Sequence, residues 1–336
     1  MKKLGVIFGG MSTENEVSQL SAKSILNNLN KEKYEIYSIY IDTKGEWFEF
    51  EKNKKIDNIM EYLKRLDVVF PVLHGLYGED GTIQGLFEIL KIPYVGCKVL
   101  ASSVGMDKAY TKIIFERAGI NQAKYIYVKK YKNQENYIYV DDKFNEQSLS
   151  IEDLVDLIKN KITYPMFVKP SNSGSSVGVN KAENDEELKN NIKIAAEFDS
   201  KILIEEGIIG KEVECAVLGN SQIGVQATQV GEIVSAEDFY TFDAKYKNQK
   251  SMTLIPARIT DEQSKTIRKL AVKAFNSIDG NGLSRVDFFV EEGTGKVYIN
   301  EINTMPGFTN ISMYPKLFEA YGIKYSELLD KLIEIC

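Results

Sequence analysis

A chain of 336 residues is long enough for two or three domains of ordinary size. With 43% apolar and 27% charged residues it has a soluble globular composition, able to build its cores without disulfide or metal staples. A formal charge of −6 excludes general nucleic-acid binding, which needs a basic surface to displace counterions, but leaves room for a local basic pocket.

Residues 3–9 (Lys-Leu-Gly-Val-Ile-Phe-Gly) read as a short buried strand ending in Gly9-Gly10. Ser12 or Thr13 is placed to cap a helix that carries Glu14, Val17, Leu20, Ser21 and Ile25 at helical spacing. A strand over 34–41 follows, so the chain opens β-α-β. The Gly-Gly turn is not the G-x-G-x-x-G dinucleotide fingerprint. What it shares with that fingerprint is a strand feeding a helix N-terminus, where a ligand can meet free backbone N–H groups. Glu14, in the first helical turn, has two readings: a favourable charge on the helix dipole, or a carboxylate held out to a cationic ligand.

A third strand, 68–73, runs into His74-Gly75-Leu76-Tyr77-Gly78-Glu79-Asp80-Gly81, a glycine-rich loop whose backbone can approach a ligand closely. His74, the single histidine of the chain, sits at the C-terminal edge of a parallel strand, where α/β sheets place ligands; a structural or a functional role fits it. A helix begins at Gln84-Gly85-Leu86, a short strand covers 92–95, and the first domain is expected to end near Gly96. Lys108 then falls near the start of a helix stopped by Gly119. A cation there opposes the helix dipole, as expected if the lysine serves a phosphate. Residues 129–150, charged and rich in Tyr and Asn, read as a variable excursion.

The next strand delivers Lys169, and a loop of Ser and Gly through Gly174, Ser175, Ser176 and Gly178 turns back into a strand at 177–179. Small residues and free N–H groups suit a polyphosphate, and Lys169 supplies a point charge. This is not a Walker A loop, because the lysine precedes the glycines; a plain Ser/Gly hairpin is the bland alternative. Residues 202–217 read as strand, connection and strand, whose apolar side chains and acceptors Glu205 and Glu212 can hold an adenine and ribose. Residues 235–250 have no clean period and read as a long loop of the lid type.

An amphipathic helix over 261–278 leads into a hairpin whose strands flank Glu291–Gly295. Two-residue spacing places Arg285 with Asp287, and Glu301 with Asn303, on one face. A register centred near Thr294 sets Asp287 opposite Glu301. An Asp, a Glu and an Asn offering only oxygen make a hard-cation site open to water and phosphate; an ordinary hairpin with a solvated polar face is the other reading. Helices over 317–320 and 325–335 close the chain.

Cys97, Cys215 and Cys336 are widely spaced and odd in number, so neither a disulfide framework nor a zinc site follows. No apolar run approaches the ~20 residues of a membrane span. The N-terminus passes straight into a strand without the cleavage site of a signal peptide. The expectation is a cytoplasmic protein with no membrane partner.

Together these segments resemble the ATP-grasp ligases, and within them the D-alanine–D-alanine ligase family. The resemblance runs nearly end to end, through Gly9-Gly10-x-Ser12-x-Glu14-x-Glu16-Val17-Ser18, His74-Gly75-x-x-Gly78-Glu79-Asp80-Gly81, Met106-Asp107-Lys108, Lys169-Pro170 to Gly178, Ala244-Lys245-Tyr246 and Glu301-x-Asn303-Thr304-x-Pro306-Gly307. Lysine pairs and metal carboxylates are general to ATP-grasp enzymes; the His-Gly and Glu-x-Glu-Val-Ser segments are more particular to this family.

The resemblance implies an α/β ATP-grasp fold with an N-terminal Rossmann-like parallel-sheet domain (1–96), a central subdomain (97–208) and a C-terminal subdomain (209–336) bearing the lid loop 235–250. It implies ATP held by Lys108, Lys169, Ser176, Glu205, Ile208, Glu212 and Lys245, with two Mg²⁺ or Mn²⁺ on Asp287, Glu301 and Asn303. Glu14 would hold the ammonium of the first D-alanine and, with Ser175 and Tyr246, link the first domain to the phosphate loop and the lid. His74 would position that substrate, with a proton-transfer role as a further option. Arg285 and the N–H of Gly307 would stabilise an oxyanion. Ser312, with Lys245, would receive the second carboxylate beside Met313, which departs from the leucine common there. The implied activity is ATP-dependent joining of two D-alanines through a D-alanyl phosphate, for peptidoglycan precursor, in a homodimer. D-Serine or D-lactate as second substrate is one alternative. The other is a non-catalytic nucleotide-binding protein on this fold, which would lack catalytic groups that are all present here.

Overall fold

The computed structural model describes residues 1–174, 177–234 and 252–336. Its strands form three sheets that follow one another along the chain. The first has the order β4-β3-β2-β1-β5, from β1 (Lys2–Gly9), β2 (Tyr34–Ile41), β3 (Trp47–Glu49), β4 (Lys54–Lys55) and β5 (Val68–Val72). Strand β1 runs parallel to both β2 and β5 and is buried from Leu4 to Gly9, which explains its unbroken apolar run. Around this sheet lie α1 (Asn15–Asn28), α2 (Ile59–Leu63) and α3 (Thr82–Leu90). Because β1 and β5 end at the same edge, the loops after Gly9 and Val72 emerge side by side.

Two local expectations change here. Neither Ser12 nor Thr13 caps α1: Glu14 holds the cap position without a side-chain cap bond, while the Ser12 hydroxyl donates to the His74 carbonyl at 2.6 Å. Ser12 ties the two ligand-edge loops together instead. The strand expected at 92–95 contributes only one isolated bridge, between Tyr94 and Val69, since Pro93 has no N–H to extend the ladder.

Helices α4 (Val99–Met106) and α5 (Lys108–Arg117) meet at Asp107, which leaves helical geometry and caps α5 by accepting from the Tyr110 N–H. The second sheet follows in the order β10-β9-β11-β6-β7-β8. Its strands are β6 (Tyr125–Lys129), β7 (Tyr137–Val140), β8 (Glu146–Leu149), β9 (Met166–Pro170), β10 (Asn180–Ala182) and β11 (Lys201–Glu206), packed on α6 (Ile151–Lys159) and α7 (Asp185–Phe198). The excursion at 129–150 is therefore a hairpin that widens this sheet, with Tyr137 and Val140 buried. The strand expected at 177–179 starts three residues later because Gly178 takes a left-handed φ of 74°.

The third sheet has the order β14-β13-β12-β15-β16, from β12 (Gly210–Asn220), β13 (Gly224–Val234), β14 (Met252–Leu254), β15 (Gly282–Glu291) and β16 (Val297–Asn303). Helix α8 (Asp261–Ser277), opened by a Thr260/Gln263 capping box, lies on one face. Helices α9 (Met313–Ala320) and α10 (Tyr325–Glu334) close the chain. They share a single apolar core with the first sheet, in which Leu4, Phe70 and Val72 meet Leu283, Phe308, Phe318 and Leu332. Phe308 is the pivot: its ring stands 5.7 Å from Phe70 and 5.5 Å from Tyr314.

That shared core predicts that Phe318→Ala destabilises the whole chain rather than its C-terminal helices alone. A loss of about 3–5 kcal/mol in denaturant unfolding is expected, with the N-terminal sheet melting in the same transition.

Candidate active site

The three sheets face a common cleft of about 870 Å³. Glu14, His74, Lys108, Lys169, Glu205, Ile208, Glu212, Arg285, Glu301, Asn303, Gly307, Ser312 and Met313 all line it, although they come from segments spread over the whole chain. Ser175, Ser176, Lys245, Tyr246 and the rest of the loop at 235–250 lie outside the described residues.

The hairpin β15–β16 has the expected register, Asp287 opposite Glu301 and Arg285 opposite Asn303. A bulge between Asp287 and Phe288 leaves Asn300 without a partner position. Strand alternation would send residues 299 and 302 to opposite faces, yet both isoleucines are buried, 1% and 3% exposed. The extra residue makes this possible and turns Glu301 and Asn303 to the cleft.

Arg285 grips Asp287 through two hydrogen bonds of 2.7 Å, and its Nε lies 3.2 Å from the Glu214 carboxylate on the neighbouring strand. Burial opposes the guanidinium charge, and Asp287 and Glu214 more than restore it. Asn303 donates a further bond to Asp287 at 3.0 Å. Asp287 is thus 2% exposed, beneath Arg285, and is not itself part of the cleft wall. Among the described residues no group of three histidine, cysteine or carboxylate side chains is gathered for a metal. Glu301 and Asn303, which do line the cleft, offer oxygen donors that fit a hard cation retaining water, with the Asp287 carboxylate held behind them by Arg285.

Lys108 spans the cleft floor: its ammonium donates to the Ser173 carbonyl at 2.6 Å and lies 3.8 Å from Glu301 Oε2. Lys112, one turn further along α5, points the same way and pairs with Glu205 Oε1. Lys169 takes the other oxygen, Oε2. Burial alone would push the Glu205 carboxyl up, but the two ammoniums bring it down to about 2. Glu205, expected as an acceptor for the nucleotide, therefore has both oxygens occupied by lysines. Sequence reading passed over Lys112; the signal was its i+4 spacing from Lys108, two like charges on one helix face that gain nothing from each other.

At the first sheet's edge Glu14 is 6% exposed. A Cβ at Gly75 would stand 2.5 Å from its Oε2, and one at Gly174 2.6 Å, so the carboxylate rests against both the His-Gly and the Ser/Gly loops. His74 is buried, with Nδ1 3.1 Å from the Met305 carbonyl and Nε2 3.0 Å from Ser21 Oγ. A carbonyl only accepts, so Nδ1 carries the proton and Nε2 accepts from the Ser21 hydroxyl. Ser21 Oγ in turn accepts the Phe308 N–H at 3.2 Å. Burial holds His74 below its ordinary pKa against the pull of Glu14, which keeps the ring neutral. Both ring nitrogens are engaged within the protein, so this geometry has His74 fastening the loop that carries Gly307 and leaves no nitrogen for proton transfer.

Ser21 was also missed as a site residue. Its signal was a row of serines, Ser18, Ser21 and Ser24, on the buried face of α1. Ser18 accepts the Gly9 N–H and donates to the Val72 carbonyl, while Ser24 bonds Asn310. Nearby, Glu79 accepts from the backbone N–H of Gly75 at 2.9 Å and of Met305 at 3.2 Å. Burial and the adjacent Glu14 carboxylate push its carboxyl up to about 8.

On the far wall, a Cβ at Gly307 would lie 2.8 Å from Ser312 Oγ. That hydroxyl accepts the Thr309 N–H at 2.9 Å just ahead of α9. Met313 is largely buried against Gly231, where an added Cβ would meet its sulfur at 2.7 Å.

Residues 3–64 and 49–97 match a family model described as D-ala D-ala ligase N-terminus, and residues 114–334 match one described as D-ala D-ala ligase C-terminus. The chain is 49% identical to a D-alanine–D-alanine ligase of Acetivibrio thermocellus, over 99% of this chain and 95% of that one. Among solved structures it is similar to the VanG D-Ala:D-Ser ligase from Enterococcus faecalis, with a TM-score of 0.84 at 36% identity and 99% of both chains covered. The D-alanine–D-alanine ligase from Coxiella burnetii gives a TM-score of 0.78 at 33% identity, covering 100% of this chain and 95% of that one.

The raised Glu79 carboxyl carries a pH signature. The folded chain keeps a proton there that the unfolded chain releases above its ordinary value of 4.5, so this contribution to stability is lost as pH rises towards about 8. Glu79→Gln, which cannot ionise, is expected to lose less thermal stability than the parent between about pH 5 and about pH 9.

Proposed function

The chain belongs to the D-alanine–D-alanine ligase family, and from that we infer that it joins two D-alanine molecules with ATP as co-substrate, through a D-alanyl phosphate, for peptidoglycan precursor. Its fold is the ATP-grasp fold with a parallel-sheet N-terminal domain. One observation carries the site assignment: Lys108 touches the Ser/Gly loop and approaches Glu301, so the phosphate-binding and carboxylate elements face one space. We assign domains at 1–96, 97–208 and 209–336.

Lys108 and Lys169, with Ser176 and Lys245, bind the phosphates of ATP; Ile208 and Glu212 border the adenosine. Glu301 and Asn303 on the cleft wall, with Asp287 behind them, would hold two magnesium or manganese ions, which would supply charge neutralisation to the triphosphate. Glu14 receives the ammonium of the first D-alanine, and Ser175 and Tyr246 complete the link to the lid. The first carboxylate attacks the γ-phosphorus, giving D-alanyl phosphate and ADP. The amine of the second D-alanine then attacks the acyl carbon and expels inorganic phosphate, leaving one proton to solvent. Arg285 and the Gly307 N–H stabilise the oxyanion of that step, a donor of this kind being worth roughly 3–4 kcal/mol. Ser312, with Lys245, receives the second carboxylate.

No described helix is long and apolar enough to cross a membrane; we place the enzyme in the cytoplasm. Ile89, Val99 and Leu100, exposed on the adjoining helices α3 and α4, support the expected homodimer. A second reading, with D-serine as the second substrate, is favoured by the similarity to a D-Ala:D-Ser ligase. One hydroxyl in a pocket is worth only ~1–3 kcal/mol of discrimination, so product analysis decides between them. With D-alanine and D-serine supplied together, D-alanyl-D-alanine is expected to dominate and phosphate release to require D-alanine. An excess of D-alanyl-D-serine would install the second reading, and D-alanine-independent phosphate release would remove the ligase assignment.

The Ser21 contacts yield a second prediction. Ser21→Ala frees the Phe308 N–H and lets the Gly307 loop shift, so kcat is expected to fall at least about tenfold while KM for ATP changes little. Steady-state kinetics in both substrates would show the split.

A further inference from the structure

We propose that Lys112, which no part of the ligase reading above uses, is a positioning residue that sets the charge of the triphosphate site by occupying Glu205 and so leaving Lys169 available to ATP. This rests on the assignment of the cleft to ATP.

The side chains of Lys112 and Glu205 are 4% and 5% exposed, whereas that of Lys169 is 16% exposed and reaches the cleft. Lys112 therefore sits almost wholly buried at the cleft wall beside the carboxylate, with the Tyr125 ring 5.6 Å from its ammonium. Glu205 divides its two oxygens evenly, Oε1 to Lys112 and Oε2 to Lys169. Two ammoniums on one carboxylate leave one net positive charge, and Lys169, the more exposed of the two lysines, is the one placed to present it to a ligand. Remove Lys112 and the count changes: Glu205 and Lys169 become a neutral pair, and a phosphate must compete with a buried carboxylate for the same ammonium. Burial pushes the Lys112 ammonium below its ordinary range against the pull of Glu205 and, more weakly, Glu301. A buried lysine is costly to keep charged. An apolar residue would fill the volume at lower cost, so the charge itself has a use.

The sign of a double substitution separates this role from packing. MgATP binding would be measured by calorimetry, and KM for ATP and D-alanine by kinetics, for the parent, Lys112→Met, Lys112→Arg and the double variant Lys112→Met with Glu205→Gln. Lys112→Met is expected to weaken MgATP binding on the order of tenfold or more, with KM for D-alanine unmoved and Lys112→Arg close to the parent. The double variant restores the net charge of the parent site, so it should recover most of the lost affinity. The proposal is overturned if Lys112→Met binds MgATP as the parent does, or if the double variant binds no better than the single. Should Lys112→Met fail to fold, the uncharged Met/Gln double variant still decides: near-parental affinity supports the proposal and a tenfold loss overturns it. A parent enzyme that binds no MgATP would instead bring down the ATP assignment itself, a different result from either.

Discussion

The stitching of the loop after β16 onto the first sheet is the constraint on which the remainder of the site depends. That loop carries Gly307 and leads to Ser312, yet it belongs to the third sheet, some two hundred residues from the first. Phe308 plugs it into the core beside Phe70. His74, Ser21 and Glu79 then take up its backbone groups at Met305 and Phe308. Apolar burial supplies the strength and the polar contacts supply the orientation, because hydrogen bonds have direction and dispersion does not. Gly307 is therefore located by residues of the opposite end of the chain.

The second organising feature is electrostatic. Lys108, Lys112, Lys169 and Arg285 converge on a cleft whose walls also hold Glu14, Glu205, Glu214 and Glu301. A cluster of unopposed cations would bind phosphate but destabilise the fold; a fully neutralised one would bind nothing. The structure holds an intermediate state, with Glu205 shared between two lysines and Arg285 resting on Asp287 and Glu214. The chain as a whole can then be acidic while a triphosphate still meets positive charge at short range.

Much of this was legible in the residues. Strand alternation placed Arg285, Asp287, Glu301 and Asn303 together, and the register came out as the turn residues suggested. Period and glycine punctuation located β1, β2, β5, α8 and the hairpin to within a residue or two. What escaped depends on partners remote in sequence. Nothing near Ser21 says that its hydroxyl meets residue 308, and nothing near Glu205 says that two lysines will claim it. The excursion at 129–150 hid two strands because an edge hairpin need not bury both faces, so its period was diluted by charge. Helix α4 lacked a cap signal, since its first residue follows Lys98 with no side-chain cap bond.

The bulge at Asn300 has a consequence for how this sequence can drift. Ile299 and Ile302 are both inside only because an additional residue separates them, and Glu301 and Asn303 reach the cleft for the same reason. Straightening the bulge with Asn300 kept in the ladder would send the Glu301 carboxylate towards the interior and lift an isoleucine into water, whereas losing Asn300 itself would leave Ile299 and Ile302 on one face and Glu301 and Asn303 on the other. What that spot specifies is therefore the register on either side of the extra residue, because a slip of one position there exchanges the inward and outward faces of the strand that follows.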